Sequence, residues 1–236
     1  MKRIKLSLFA IATLFSTVTM AQTADEVIDK HVEALGGKEK LTSLKSVRME
    51  ATMSVQGMEL PMVTTRVAGV GQRVDLSVMG QDGYMIVTPT AGWIFFPFMG
   101  QTAPEAMPAE QLKSSVDQID LQGPLVGYKE KGNKVELLGK EAIDGADAFK
   151  LKITTAANTE RTYFIDAKTY YILRTVEKGV VMGQEQEITA SYSNYKKTEE
   201  GFVFPFTISG AFGQGDLTVT KIEVNKPIDE KIFKAN

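Results

Sequence analysis

The chain has no cysteine, and that absence closes several routes at once. It excludes disulfides, thiolate metal sites and a cysteine nucleophile. It also excludes attachment to lipid through an N-terminal cysteine. Histidine is nearly as scarce, with His31 the single copy. His31 falls among Val and Leu on an apolar helical face, a packing position, so no triad or conventional zinc site can be assembled around it. Basic excess is missing too, since 27 Lys and Arg face 29 Asp and Glu. A mildly acidic chain without a basic stripe suits neither nucleic acid nor tight adsorption to anionic lipid. After residue 21 no apolar run approaches the roughly 20 residues that a membrane-spanning helix needs.

What stands before residue 22 has its own logic. Lys2, Arg3 and Lys5 form a positive start, Leu6 to Val18 an apolar stretch too short to span a bilayer, and Thr19-Met20-Ala21 a small-residue cleavage site. Residues 1–21 therefore read as a removable secretory signal, and residues 22–236 as a single exported domain, soluble and most simply periplasmic. Loss of three cations makes the mature chain more acidic than the formal charge of −2.

The mature chain opens on a helical pattern from Thr23 to Leu35, stopped by Gly36-Gly37, with a short second turn over Lys38–Leu44. The period then changes to two. Val47, Met49, Ala51, Met53 and Val55 alternate with polar residues, and Gln56-Gly57 turns the chain into Met58–Val67, where Pro61 marks a bulge or edge. Strands follow over Arg73–Met79 and Tyr84–Thr88, and then the most aromatic run, Gly92 to Met99, with the one Trp. Pro104 and Pro108 punctuate the link to a mostly polar helix over Ala109–Asp120, which Gly123-Pro124 closes. Further strands are expected over 134–138, 148–155, 160–166, 171–177, 184–195, 202–209 and 215–224, with Lys178-Gly179 among the turns. Links this short leave no room for crossover helices, so the sheet is antiparallel. About a dozen strands in one sheet must curl. With helices grouped at 23–44 and 105–128, the expected fold is mainly β: one strongly curved half-barrel whose concave face the helices cover.

Several motifs then resemble a known family. Thr162 to Thr169 followed by Ile172-Leu173-Arg174 looks like its strand–Asp–turn–strand signature. Gly201-Phe202-Val203-Phe204-Pro205 and Ile222-Glu223-Val224-Asn225-Lys226-Pro227-Ile228-Asp229 with Phe233 match its last strands. Leu35-Gly36-Gly37, Lys40-Leu41, Leu44-Lys45-Ser46 and Gly123-Pro124-Leu125 with Tyr128 match as well. Together they resemble the LolA-like outer-membrane lipoprotein-sorting proteins over essentially the whole mature chain. The resemblance implies an incomplete barrel with an apolar cavity for lipoprotein acyl chains, loaded by an inner-membrane donor complex and unloaded to an outer-membrane acceptor. It also implies an early-strand arginine that holds the helical cover shut. Arg48 and Arg66 both stand on early strands, and no motif assigns the role to either.

The candidate ligand-binding residues are apolar: Met49, Met53, Met62, Leu76, Trp93, Phe95, Met99, Leu112, Val116, Phe204 and Phe206. Methionine is flexible and polarisable and serves surfaces that accept varied shapes. For each residue alone, core packing is the plainer account; the cluster is more telling, because a half-barrel without a second sheet needs something on its concave face. An acyl chain of about 16 carbons represents on the order of 10 kcal/mol of exposed CH₂ groups, so a soluble carrier must enclose most of it. Catalytic and cofactor sets are not found. Ser193-Asn194-Tyr195-Lys196 fits S-x-x-K at a strand end rather than a helix start, without partner motifs. Gly69-Val70-Gly71 lacks the strand–helix context of a phosphate loop. The reading is a carrier that performs no chemistry. A binder of another apolar ligand and a structural or protein-interaction half-barrel are the alternatives.

Overall fold

The computed structural model describes residues 22–181, 184–211 and 215–235; the expected signal segment lies outside them. Six strands come first: β1 (Ser46–Val55), β2 (Met58–Val67), β3 (Gly71–Val78), β4 (Gln81–Val87), β5 (Gly92–Phe95) and β6 (Glu105–Ala106). Seven more follow: β7 (Lys134–Ile143), β8 (Ala146–Thr154), β9 (Glu160–Asp166), β10 (Ile172–Val181), β11 (Gln184–Lys197), β12 (Val203–Ala211) and β13 (Gly215–Val224). All pair antiparallel in one curled, unclosed sheet, in the order β6-β5-β4-β3-β2-β1-β13-β12-β11-β10-β9-β8-β7. The first and last long strands meet at its centre, with Met49 opposite Ile222 and Met53 opposite Leu217.

This order decides where the cover goes. The two free edges are β6 and β7, which are separated in sequence only by residues 107–133. That connection must bridge the opening between the edges. It carries α3 (Ala109–Ser115) and a 3-10 turn, Val116–Ile119. The expected helical stretch 105–128 is thus narrower, because Glu105–Ala106 joins the sheet beside β5 and residues beyond 120 are turns.

The other helices are α1 (Ala24–Ala34) and α2 (Lys38–Thr42). Thr23 and Glu26 form a reciprocal capping box at the start of α1, each side chain bonded to the other's backbone N–H. Val27, Ile28 and Val32 of α1 and Leu41 of α2 pack into a core with Phe149, Leu151, Ile153, Tyr163 and Ile165 of β8 and β9. His31 is buried in the same layer, and its Nδ1 donates to the Tyr170 carbonyl at 2.7 Å. Burial holds this imidazole below its ordinary pKa, so it packs as a neutral ring.

Two expectations change. Lys178-Gly179 is not a turn but part of β10, which pairs through Gly179 opposite Gln186. Here glycine marks a close approach: a Cβ on Gly179 would collide with Ile188 of β11. Pro61 is not on an edge strand, since β2 lies between β1 and β3. The β2–β3 ladder begins only at Met62 opposite Leu76, so the missing N–H of Pro61 falls where that pairing has stopped.

The residues that carried the family resemblance prove to be folding devices. Asp166 accepts from the backbone N–H of Lys168 and Thr169 at 2.9 and 2.6 Å and from the Thr169 hydroxyl at 2.9 Å, building the β9–β10 turn. Burial alone would raise its pKa, but these donors hold it below the usual carboxylate value. Asn225 accepts from the N–H of Lys45 and Ser46 and donates to the Ser43 carbonyl, tying the end of β13 to the start of β1.

Candidate functional site

Directly opposed residues in an antiparallel ladder share a face, so the concave side can be followed strand by strand. On β1 it carries Val47, Met49, Ala51 and Met53. Across β2 lie Arg66, Thr64, Met62 and Leu60, and across β3 lie Gln72, Val74 and Leu76. It continues through Met85 and Val87 of β4 to Ile94 of β5.

Three apolar groups occupy this face. One is the helix-filled core just described. A second, under α3, joins Val87, Met107 and Ile119 with Met85, Ile94, Leu112 and Val116. Between them lies a group made wholly of strand residues: Ala51, Met62, Val74, Leu217 and Val219, bordered by Met49, Met53, Leu76, Met85, Phe206, Ile208 and Ile222. Among the described residues no helix residue belongs to it, and its bordering side chains are only partly buried. A concave apolar face with partly buried methionines and no described cover of its own is the candidate site.

The sequence candidates separate accordingly. Met49, Met53, Met62, Leu76 and Phe206 converge on the bare face. Leu112 and Val116 belong to the cover group, and Phe204 packs against the helix-filled core. Trp93 and Phe95 do not wall this face: their partners Ile86 and Tyr84 alternate with Met85 and Val87, so both rings lie on the opposite side of the sheet. Met99 is 74% exposed after β5, away from all three groups. The aromatic run reaches the concave face one residue out of step. Gly83 pairs with Leu76, and a Cβ on Gly83 would meet Phe96 at 2.8 Å and Phe98 at 2.9 Å. These two rings stack at 5.2 Å over the glycine. The sequence candidates omitted them, although Phe96 shares its alternation with Ile94.

Polar groups interrupt the face at its inner end. Arg66 Nε donates to Gln72 Oε1, and Gln72 Nε2 donates to Gln118 Oε1 at 2.9 Å, linking β2 and β3 to the turn that follows α3. Arg48 points the other way, where it pairs with Glu50 and Glu223. Burial pulls the Arg66 guanidinium below its ordinary pKa, and the Tyr192 phenol partly offsets this. Tyr192 stands on β11, four strands away, so the sheet's curl brings the two into electrostatic range. Farther along, Arg161 pairs with Glu177 and donates to the Tyr163 hydroxyl at 3.3 Å; Thr175 and Tyr192 are bonded at 3.1 Å. Burial raises the Tyr163 pKa.

The cover is fastened at both ends. Met107 is buried against Gly92, whose carbonyl accepts its N–H at 2.9 Å. Leu125 and Val126 are buried in the helix-filled core. Just beyond these two, Lys131 binds Asp120 and the Gly123 carbonyl, and Asn133 binds the Pro124 carbonyl. Beyond the cover, a cavity of about 620 Å³ lies between Glu110 and Lys113 of α3 and the β8–β9 turn, with Arg161 and Glu177 in its wall. Its charged lining sets it apart from the bare face. Among the described residues no helix is long and apolar enough to cross a membrane, and no group of acidic or histidine side chains is placed to hold a metal ion.

No protein-family model and no curated protein matches this sequence. Solved structures do match. A LolA superfamily protein from Nitrosomonas europaea aligns over 91% of this chain and 98% of its own, with a TM-score of 0.56 at 15% identity. A putative outer membrane lipoprotein-sorting protein domain from Vibrio parahaemolyticus aligns over 88% and 94%, with a TM-score of 0.53 at 13% identity. A DUF1329 family protein from Desulfovibrio piger aligns over 91% and 98%, with a TM-score of 0.50 at 11% identity. Identity this low speaks to architecture alone. The curled sheet, its edge-to-edge cover and these alignments agree that the chain has the open half-barrel fold of the LolA superfamily.

Proposed function

We propose that the chain is a periplasmic carrier which takes up the acyl chains of lipoproteins, or another apolar chain, on the bare concave face and performs no chemistry on them. The observation that carries this reading is the apolar group around Met62 and Leu217, which among the described residues includes no helix residue and keeps its rim of Met49, Met53, Leu76 and Phe206 partly exposed. Leaving such a face in water costs roughly 25 cal/mol for each Å² of apolar surface, a cost that a bound chain removes. The strap 107–133 is the element that would shield that chain, with Pro104, Pro108 and Gly123-Pro124 as hinges and the Arg66–Gln72–Gln118 relay as its fastening. An inner-membrane donor and an outer-membrane acceptor complete the scheme, with residues 1–21 directing export.

Native mass spectrometry of the mature protein from cell envelopes tests this reading. Bound lipid or acylated protein is expected, and is expected to vanish when Met53 is replaced by Gln. A protein that purifies empty and takes up no acyl chain in vitro would end the carrier reading. It would leave the structural half-barrel, whose edge β7 already carries the charges Lys134, Glu136, Lys140 and Glu141 that discourage strand pairing.

A further inference from the structure

The arginines of the described chain fall into two kinds. Arg48 pairs with Glu50 and Glu223, Arg73 with Asp75, Arg161 with Glu177 and Arg174 with Asp144. Arg66 has no carboxylate within ion-pair distance among the described residues; its one hydrogen bond runs from Nε to the neutral amide of Gln72. Its two terminal nitrogens have no acceptor among the described residues. They are not sealed in either, because the one buried side-chain nitrogen or oxygen without a partner among the described residues is Nε of Arg174. A guanidinium set among Val47, Gln72 and the cover, with two donors open and no counter-charge, can take something anionic in place of water.

Its surroundings say what that something is. From Arg66 the same face of β2 runs through Thr64 and Met62 to Leu60, roughly 20 Å of increasingly apolar surface at about 3.3 Å per residue. The cation is thus the inner end of the bare face, under Gln118, and not part of its rim. A ligand that satisfies both features is long, apolar and anionic at one end. The two open nitrogens match a planar carboxylate in bidentate geometry, and one negative charge balances one guanidinium, whereas a phosphomonoester would bring surplus charge. We propose that Arg66 is the head-group site of the bare face, and that the ligand it selects is a single-chain amphiphile ending in a carboxylate, of the free fatty acid class. This rests on the reading of that face as an acyl-binding surface, and it adds a polarity: head inward at Arg66, tail toward the β1–β2 turn.

The test uses the mature chain and two probes of one tail, cis-parinaric acid and its methyl ester, followed by fluorescence. The acid is expected to bind at least tenfold more tightly than the ester. Arg66→Met should abolish that preference while ester binding stays within about twofold, which also shows that the variant has folded. Gln118→Ala, which breaks the relay and keeps the charge, should retain the preference. Equal binding of acid and ester by the unaltered protein, or a preference that survives Arg66→Met, would overturn the assignment of Arg66 and leave the acyl-binding reading intact. Failure of both probes to bind would remove the two together.

Discussion

On one half of the sheet, Leu151, Ile153 and Ile165 are sealed beneath α1, with no measurable exposure. On the other half, Met49, Met53, Leu76 and Phe206 stand on the same concave face and keep part of their surface free. Both halves are built from the same alternation of apolar and polar residues, so the strands do not make the difference. The helices do: α1 and α2 precede the sheet and fill one side, whereas the strap 107–133 only bridges the edges. A carrier needs this division. A fold filled throughout has no place for cargo, and one bare throughout would not hold together.

The division is broken most directly at Leu151. Replacing it by Ala should cost about 2–5 kcal/mol, because the cavity left beneath α1 cannot collapse against closely packed neighbours. Urea denaturation would read this as a lower midpoint with an unchanged slope. A cost under about 1 kcal/mol would mean that the filled half is not the stabilising one.

The opposite outcome is expected on the bare face. Met53→Gln should change stability by less than about 1 kcal/mol, since the side chain is only partly buried. Acyl-chain binding should nevertheless fall at least tenfold, as measured by probe fluorescence. The aromatic run sharpens the point. Phe96→Gln should weaken binding several-fold and Trp93→Gln should leave it unchanged, because the two rings lie on opposite faces.

That last pair also marks the limit of what the residues alone could tell. The antiparallel strands, the first helix with its Gly36-Gly37 stop, the Pro-bounded cover and the methionine-rich N-terminal half were legible, because each follows from period, from Gly and Pro punctuation or from composition. The face of the aromatic run was not. Trp93 and Phe95 alternate with Ile94 and Phe96, both sets are apolar, and period two cannot say which set is inward; a shift of one residue reverses the answer. Only the pairing of Ile94 with Met85 settles it. Arg66 was more accessible than it looked. It shares parity with Met62 and Thr64, just as Arg48 alternates with Val47 and Met49, so the strands' own pattern puts one arginine inside and the other out. The Gln72–Gln118 bond had no such signal, because it joins segments that meet only when the strap crosses the opening.

In the filled half His31 offers a probe of a different kind. The folded chain holds it neutral, below its ordinary pKa of 6.5, and the unfolded chain takes up a proton near that value. Stability from this group is therefore full above about pH 7 and falls as pH drops through 6.5, by at most about 1.4 kcal/mol for each pH unit, until the folded imidazole also protonates. No second histidine shares the window, so the slope between pH 7 and 5 belongs largely to this ring. Thermal melts across that range should show it, and His31→Gln should flatten it. The bare face has no titrating group of this type, so acyl binding of the folded protein by the methyl ester probe should stay level over the same range.

The smallest effect is expected at the boundary between the two halves, where the strap lies over the sheet. Gln118 contributes one neutral side-chain bond, to Gln72 Nε2, and a bond of this kind is worth about 1 kcal/mol net. Gln118→Ala should therefore leave global unfolding almost untouched, because the strap stays anchored by Met107 at one end and by Leu125 and Val126 at the other. The effect should be local. Amide exchange in α3 and the turn after it should quicken about fivefold, since 1 kcal/mol is a factor of that order in an opening equilibrium, while exchange in β8 and β9 stays as it was. Faster exchange throughout the sheet would mean that the strap is part of the filled core. No change in α3 would mean that Gln72 and Gln118 do not fasten it, and that apolar contacts of Leu112, Val116 and Ile119 hold the cover by themselves.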